Sequence, residues 1–208
     1  MNGSELAEQR SVDGFKRRIE RALGPAGLFF KGFLKHPVMV GSIIPSSGFT
    51  INKMLAPVDW DNCRLFVEYG PGVGTFSKAI LERLRRDGRY VAIDTNPDFI
   101  DYLRRTIPDS RFSPVLGSAA DVEEIVKAHG FEHADYVLSG LPFSTLPEGV
   151  GPAIADATWR VLRKDGGFLV YQFSARCRDF MARHFQRIDK AWEFINIPPV
   201  QMFWGWKD

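Results

Sequence analysis

The chain of 208 residues has the length of one ordinary domain, and its apolar fraction of 45% is large enough to bury a core. It contains no run of 18 apolar residues, which excludes a conventional membrane-spanning helix. Residues 1–36 carry 7 basic and 4 acidic side chains, and the remaining residues carry 20 basic and 21 acidic ones. A protein that grips a long nucleic acid usually spreads basic charge over its binding face, so no nucleic-acid partner is expected.

The two cysteines, Cys63 and Cys177, lie far apart and show no Cys-x-x-Cys spacing. This pattern supports neither a zinc site nor a disulfide framework, so no metal is expected and a reducing cytoplasm is the expected location. The first residues, MNGSELAEQRSVDG, are polar and lack the apolar centre of a secretory signal.

Short apolar stretches alternate with helical patterns from Leu65 onward. The predicted strands are 65–68, 90–94, 112–116, 135–138, 168–173, 191–197 and 200–206. The predicted helices are 75–86, 97–106, 122–129, 151–162 and 176–185. This alternation predicts an α/β fold with a mainly parallel sheet and helices on both faces. No helix separates the last two strands, so we expect a hairpin with an antiparallel final strand.

A glycine-rich turn joins the first strand to the next helix, with the sequence Glu68-Tyr69-Gly70-Pro71-Gly72-Val73-Gly74. Glycines let the backbone turn tightly and approach a ligand closely. Asp94 ends the second strand, where a carboxylate can accept hydrogen bonds from ribose hydroxyls. Glu68 would repel a pyrophosphate at this strand tip and attract a cationic ligand. The pattern therefore favours a cationic nucleoside ligand over a dinucleotide.

The motif Glu68-x-Gly70-x-Gly72-x-Gly74, followed by Asp94, resembles class I S-adenosylmethionine-dependent methyltransferases from about Asn62 to the end of the chain. The resemblance implies a Rossmann-like sheet of seven strands, mainly parallel, with an antiparallel last strand. It also implies S-adenosyl-L-methionine as the cofactor. The predicted contacts with this cofactor are Glu68, Gly70, Gly72, Gly74, Asp94, Thr95, Ser118, Ala119 and Ser139.

The third strand ends in Gly117-Ser118-Ala119-Ala120-Asp121, where this superfamily usually contacts adenine. Many relatives carry Asp directly after the glycine, and here Ser118 takes that place. The adenine contact therefore stays open between Ser118, the Ala119 backbone and Asp121. Asp121 also suits a helix N-cap, with Glu124 completing a capping box, and we favour the cap.

The fourth strand leads into Ser139-Gly140-Leu141-Pro142-Phe143. Gly140-Leu141-Pro142-Phe143 resembles the Asn-Leu-Pro-Tyr loop of amine methyltransferases, whose carbonyl oxygens hold the target amine, and we predict these four as the catalytic residues. Glycine in place of asparagine removes the best acceptor for a flat nucleobase amine. It leaves the backbone oxygens of Gly140 and Leu141 and, we expect, open space for a tetrahedral alkyl amine that gains bulk.

Ser-Gly-Leu-Pro and the upstream Ile44-Pro45-Ser46-Ser47 both resemble bacterial phospholipid N-methyltransferases, which are related to ribosomal RNA adenine dimethylases. The resemblance implies stepwise methylation of phosphatidylethanolamine to phosphatidylcholine. Three alternatives remain open: an RNA adenine methyltransferase, a methyltransferase for another amino lipid such as ornithine lipid, and a non-catalytic cofactor-binding module. Ser46 or Ser47 would also suit the N-cap of a helix toward Leu55.

The substrate side needs aromatic faces for methylated cations and donors for a lipid phosphate. Phe143, Tyr171 and Phe173 are candidates for the aromatic faces, and each also suits a core position. Tyr102 and His36 are candidate helpers in deprotonation. The predicted substrate-binding residues are Ser46, Ser47, Lys35, His36, Tyr171 and Arg176.

The N-terminal region has the pattern of a helix lying in a membrane interface. Phe15, Ile19 and Leu23 share one helical face beside basic residues, and an apolar cluster follows at 28–34. A helix that covers the catalytic domain would show the same apolar face. We expect residues 1–60 to form a membrane-association and lid region, and residues 61–208 to form the methyltransferase domain. We therefore expect the protein to attach peripherally to the anionic inner face of the cell membrane.

Overall fold

A seven-stranded sheet organises the computed structural model, which describes residues 48–144, 146–172, 176–194 and 200–208, without the side chain of Arg176. All of these residues belong to one compact unit, Ser42–Asp208. The strands are β1 (Leu65–Tyr69), β2 (Arg89–Asp94), β3 (Phe112–Leu116), β4 (Ala134–Ser139), β5 (Leu162–Gln172), β6 (Arg187–Glu193) and β7 (Val200–Trp206). The helices of this part are α1 (Gly48–Leu55), α2 (Ser77–Arg83), α3 (Pro97–Thr106), α4 (Val122–Ala128), α5 (Val150–Val161) and α6 (Arg176–Met181).

The strand order across the sheet is β3-β2-β1-β4-β5-β7-β6. Strands β1 to β5 pair in parallel, and β7 lies between β5 and β6, antiparallel to both. The predicted seven-stranded α/β sheet and its antiparallel last strand are therefore confirmed. Strands β1 and β4 are buried along their whole length because helices cover both faces of the sheet.

Side chains on the two faces of the sheet form two separate cores. One core packs β-strand residues such as Val67 and Val137 against α4, α5 and α6. The other packs residues such as Phe66 and Leu138 against α1, α2 and α3. Because helices occupy both faces, ligands have access to the edge where the parallel strands end, which is where open α/β sheets bind them.

Two strands differ from their predicted bounds by more than one residue at an end. Strand β5 begins at Leu162 and not at Phe168, because it continues through a bulge in which Asp165 has a φ of 60° and the register with β4 shifts. Strand β6 lies at Arg187–Glu193 and not at 191–197. It is the exposed edge strand, so its side chains lack the apolar alternation that marks a half-buried strand.

Several predictions fall outside the described residues. They concern the amphipathic segments of residues 1–36, the residues Lys35, His36, Ser46 and Ser47, and Phe173. Among the helices that the structure describes, none has the length and apolar character needed to cross a membrane.

Asp135 joins the starts of three strands at the edge opposite the ligand-binding edge. Its carboxylate accepts hydrogen bonds from the backbone N–H groups of Arg64 (2.7 Å) and Leu65 (2.8 Å) and pairs with Arg163. Asp135→Ala leaves these donors without an acceptor, so the free energy of unfolding should fall by about 2 to 4 kcal/mol in urea titrations. Asp101→Ala, which breaks an exposed ion pair with Arg104, is the control and should cost less than about 1 kcal/mol. An equal loss of unfolding free energy in both variants would contradict this role of Asp135.

Candidate functional site

The glycine-rich turn after β1 has a backbone that only glycine adopts easily. Gly70, Gly72 and Gly74 have φ angles of 66°, 56° and 81°, in the left-handed region. The Gly70 N–H donates to the Ile93 carbonyl at 2.9 Å, which ties the turn to the end of β2. At Gly74 an added Cβ would lie 2.8 Å from Leu103 Cδ2, so a side chain there would also clash with α3.

Asp94 lies beside this turn at the end of β2. Its two carboxylate oxygens accept from the backbone N–H groups of Gly72 (3.3 Å) and Asn96 (2.9 Å). Burial raises the pKa of Asp94, and the backbone donors of Asn96, Gly72 and Thr95 oppose that rise. The carboxylate is fixed but still partly exposed, so it can accept further hydrogen bonds from ligand hydroxyls. Turn and carboxylate together fit the ribose end of a nucleoside ligand.

Glu68 lies under the glycine-rich turn and not on its surface. The side chain is 1% exposed, and the Tyr90 hydroxyl donates a hydrogen bond to it. The Tyr90 hydroxyl also contacts Ser77 Oγ at 3.0 Å. Burial raises the pKa of Glu68 to about 7, while the Tyr90 hydrogen bond opposes that rise. Glu68 can therefore act on a ligand through its charge, and direct contact with the cofactor stays a prediction.

The loop after β3 confirms the position of the predicted helix cap, Asp121, but not a capping hydrogen bond. Ser118 Oγ accepts from the Ala120 N–H at 3.2 Å, so Ser118 caps the short 3₁₀ turn Ala119–Asp121. Asp121 stands before α4, but within the described residues its side chain makes no capping hydrogen bond. The capping box with Glu124 does not form, because the Asp121 N–H donates to the Ser118 carbonyl at 3.1 Å within the 3₁₀ turn. Ala119 is buried at the start of this turn.

Leu116 is a residue that the sequence analysis missed. It is 52% exposed at the end of β3 and pairs in register with Asp94. An exposed leucine beside the carboxylate offers an apolar contact for a flat ring. In the sequence, Leu116 is an apolar residue at the end of a predicted strand, and this pattern does not distinguish an exposed leucine from one in the core.

The loop after β4 closes against the glycine-rich turn. The Gly140 N–H donates to the Tyr69 carbonyl at 3.0 Å, and Ser139 Oγ accepts from the Leu141 N–H at 3.3 Å. An added Cβ at Gly70 would lie 3.1 Å from Leu141 Cδ2. The two loops are therefore in contact, and a ligand on the glycine-rich turn lies next to Leu141. Ser139 is fully buried and braces the loop.

The expected open space at Gly140 is filled. An added Cβ would lie 2.5 Å from the Tyr171 hydroxyl oxygen and 3.0 Å from Cζ. Tyr171 comes from β5, is 5% exposed, and packs on Phe76 with 4.9 Å between ring centroids. The expectation of openness was wrong, because a neighbouring strand supplies the polar group that position 140 lacks. Burial, with a smaller effect from the charge of Glu68, raises the pKa of Tyr171, so its hydroxyl stays protonated.

The remaining substrate-side candidates lie at the ends of β4 and β5. Phe143 is buried against Phe180, with centroids 6.2 Å apart, so it serves the core as well as the loop. Pro142 lies between Leu141 and Phe143 in this loop, and Arg176 begins α6. Gln172, which the sequence analysis missed, is 3% exposed, and among the described residues neither its amide nitrogen nor its oxygen has a hydrogen-bond partner. A buried amide of this kind beside the site is available to a ligand.

Tyr102, the other proposed helper, lies on α3. It lines a groove with Val73, Gly74 and Ile107, on the helical side of the glycine-rich turn. A part in deprotonation stays a prediction for this residue.

Comparisons with known proteins agree with this geometry. A family model described as a methyltransferase domain matches residues 66–166. An ornithine lipid N-methyltransferase from Singulisphaera acidiphila is 30% identical over 175 residues, which cover 83% of this chain and 91% of that protein. The range matched by the family model includes the glycine-rich turn and the loop after β4.

Two further similarities are less extensive. A ribosomal RNA small subunit methyltransferase H from Burkholderia ambifaria is 37% identical over 89 residues, which cover 43% of this chain and 28% of that protein. The crystal structure of the N-methyltransferase NodS from Bradyrhizobium japonicum WM9, in complex with S-adenosyl-L-homocysteine, has a TM-score of 0.57. It is 14% identical and covers 76% of this chain and 83% of that one, which shows a common fold.

The buried carboxyl of Glu68 should make stability depend on pH. In the unfolded chain its pKa is near 4.5, and in the folded chain it is about 7. The unfolded chain releases its proton first as pH rises, so the free energy of unfolding should fall between these two values and stay constant above them. The expected fall is about 3 kcal/mol.

Glu68→Gln removes this titration while keeping the shape of the side chain. Urea titrations of both proteins at pH 5 and pH 8 measure the effect, because other groups cancel in the difference. The wild type should lose stability relative to the variant on going to pH 8. A difference that is the same at both pH values would contradict a raised pKa for Glu68.

Proposed function

The chain belongs to the S-adenosylmethionine-dependent methyltransferase family, and on that premise we propose that it methylates the headgroup amine of a membrane lipid. The observation that supports this acceptor most is the pair Gly140 and Tyr171. Together they offer a hydroxyl and backbone carbonyls, in place of the side-chain amide that holds a flat base amine. The similarity to an ornithine lipid N-methyltransferase over most of both chains supports the same class of acceptor.

The cofactor of the family is S-adenosyl-L-methionine, and the proposed residues fit it. Asp94 would accept hydrogen bonds from the ribose hydroxyls, while Ser118, the Ala119 backbone and Leu116 would contact the adenine. The glycine-rich turn would hold the amino-acid end, close to the buried charge of Glu68. When bound, S-adenosyl-L-methionine supplies a methyl group on a sulfonium sulfur that leaves as a neutral thioether.

The loop after β4 would orient the amine. The backbone carbonyls of Gly140 and Leu141 and the Tyr171 hydroxyl oxygen can each accept an N–H hydrogen bond from the acceptor. For a primary or secondary amine, these bonds direct the lone pair of the nitrogen toward the methyl group, which is the geometry that direct displacement requires. A new C–N bond forms as the S–C bond breaks, and its electron pair stays on sulfur.

The amine must be neutral to attack. A primary alkylammonium has a pKa of about 10, near that of lysine. Burial beside Phe143 and Tyr171 lowers that pKa, because desolvation disfavours the charged form. The protonated product then loses a proton before the next transfer, and the ring faces near the loop suit the methylated cations.

Two lipids present this amine, and both are proposed acceptors. Phosphatidylethanolamine is favoured by the Ser-Gly-Leu-Pro form of the loop, and its successive products would be the mono-, di- and trimethylated lipids. Ornithine lipid is favoured by the relative that is 30% identical over 83% of this chain. The unpaired Gln172 amide could bind a polar group of either headgroup.

The full chain with labelled S-adenosyl-L-methionine provides the test. Parallel reactions contain anionic vesicles with phosphatidylethanolamine, the same vesicles with ornithine lipid, and ribosomal RNA. Label should enter at least one of the two lipids and not the RNA, and separation of the products gives the number of transfers. Label in RNA alone, or in neither lipid, would contradict the proposal.

Tyr171→Phe tests the proposed role of its hydroxyl. Loss of one acceptor should lower kcat by about tenfold to a hundredfold, with a smaller change in the KM for S-adenosyl-L-methionine. Tyr136→Phe is the matched control, since its hydroxyl accepts from the Asp59 N–H near the start of β4. Activity of Tyr171→Phe equal to that of Tyr136→Phe would contradict the role.

Gly140→Ala tests the contact between the loop and Tyr171. The added methyl group would meet the hydroxyl at 2.5 Å, so activity should fall. The same change in the Tyr171→Phe background should cost less, because the nearest clashing atom is gone. Losses that simply multiply in the double variant would show that the two residues do not interact.

A further inference from the structure

A cluster of exposed aromatic residues and lysines lies where β6 ends. Phe194 is 71% exposed, Phe49 is 55% exposed and Trp192 is 42% exposed. Lys53 and Lys190 stand beside them, and we call these five residues the aromatic rim. Single exposed apolar residues are common on protein surfaces, but several of them beside lysines at one edge of a sheet suit a contact surface.

Contacts link the members of the aromatic rim around the edge strand, with Trp192 and Lys190 on one face of the sheet and α1 on the other. Trp192 and Phe194 stack with 6.0 Å between ring centroids, and the Lys190 ammonium lies 5.0 Å from the Trp192 ring. Lys53 of α1 donates to the Trp192 carbonyl at 2.6 Å and lies 5.9 Å from the Phe49 ring. Lys53 thereby joins α1 to the end of the edge strand β6.

The aromatic rim lies on the same edge of the sheet as the candidate site. Strand β6 is antiparallel to β7, which is antiparallel to β5, so β6 ends at the edge where β4 and β5 end. Trp192 pairs in register with Gln201, which pairs with Gln172. Three strand spacings separate β6 from β4, or about 14 Å. A surface bound to the rim would therefore lie beside the Gly140 loop.

The charges of the aromatic rim favour an anionic partner. Within the described residues Lys190 has no carboxylate partner, while Lys53 pairs with the buried Glu193 at 3.4 Å. Asp189, the nearest exposed acid on β6, is paired with Arg187 and accepts from the Trp206 indole N–H. The exposed rings are thus flanked by one free and one paired ammonium group. Aromatic rings with ammonium groups suit the boundary between lipid headgroups and acyl chains.

We propose that the aromatic rim docks this edge of the protein onto an anionic phospholipid bilayer. The choice of a lipid surface rests on the proposed function, because an acceptor in a bilayer must be reached at the membrane interface. Trp192 and Phe194 insert their rings at headgroup depth, and Lys190 contacts anionic headgroups.

Trp159 provides a matched control at the other end of the molecule. It is 36% exposed near the end of α5, and the Lys207 ammonium lies 4.4 Å from its ring. The pair has the same chemistry as Trp192 and Lys190. Lys207 also donates to carbonyls near the start of β5, which places it at the edge opposite the Gly140 loop. A specific docking surface requires that only Trp192 meets the lipid.

Fluorescence quenching by brominated lipids tests the location directly. The full chain, Trp192→Phe and Trp159→Phe are mixed with vesicles of equal parts phosphatidylglycerol and brominated phosphatidylcholine, which lack the proposed acceptors. Trp60, Trp204 and Trp206 are common to all three proteins. The absolute loss of emission caused by the brominated lipid should be the same for wild type and Trp159→Phe, and Trp192→Phe should lose most of it. This outcome does not depend on methyl transfer, so it separates the docking surface from the proposed function.

Sedimentation with unbrominated vesicles of the same lipids measures the contribution to affinity. Removing both rings in Trp192→Ala/Phe194→Ala should weaken the partition constant about tenfold or more, whereas Trp159→Ala should change it less than about twofold. Unchanged quenching in Trp192→Phe would overturn the proposal. Equal binding of the double variant and the wild type would overturn it as well. So would a wild-type protein that sediments with the vesicles while its tryptophan emission is not quenched.

Discussion

The close approach of two loops at the end of the parallel strands is the constraint on which the site depends. Gly70 lies against Leu141, and Gly140 lies against the Tyr171 hydroxyl, with 3.1 Å and 2.5 Å left for an added Cβ. A side chain at Gly70 would press on Leu141 of the other loop, and a side chain at Gly140 would displace Tyr171 of β5. The same contacts place a ligand on the glycine-rich turn beside the carbonyls after β4. In the proposed function, the cofactor and the acceptor therefore bind to two loops that are in contact, the glycine-rich turn and the loop after β4.

The buried carboxyl of Glu68 contributes the charge near these two loops. Glu68 and Tyr90 form a hydrogen-bonded pair below the glycine-rich turn, and the raised pKa of Glu68 puts its titration near neutral pH. When ionised, the carboxylate favours a cationic ligand nearby, while burial, with a smaller effect from this charge, raises the pKa of Tyr171 and keeps its hydroxyl protonated. A protonated hydroxyl orients an amine by accepting its hydrogen bond and does not serve as a base. In the proposed function, desolvation lowers the pKa of the amine, and Tyr171 does not act as the base.

The sequence was sufficient for features that depend on local pattern. Apolar strands, Pro97 at a helix start and the glycine-rich turn predicted the sheet and its ligand-binding edge, since each signal lies within a few residues. Contacts between distant residues were not predictable. Tyr171 fills the space at Gly140 from a strand some thirty residues later, and no local pattern indicates it. The edge strand β6 was misplaced for the opposite reason, because its exposed side chains follow no buried periodicity.

A crystal structure with S-adenosyl-L-homocysteine and phosphoethanolamine would test the central claim, that Gly140 and Tyr171 together hold an alkyl amine for methylation. The account predicts an amine nitrogen within about 2.7–3.2 Å of the Tyr171 hydroxyl and of a carbonyl oxygen of Gly140 or Leu141. It also predicts that the nitrogen faces the sulfur along the line of transfer. An amine bound elsewhere, or a Tyr171 ring that turns away from Gly140 to admit it, would contradict the account.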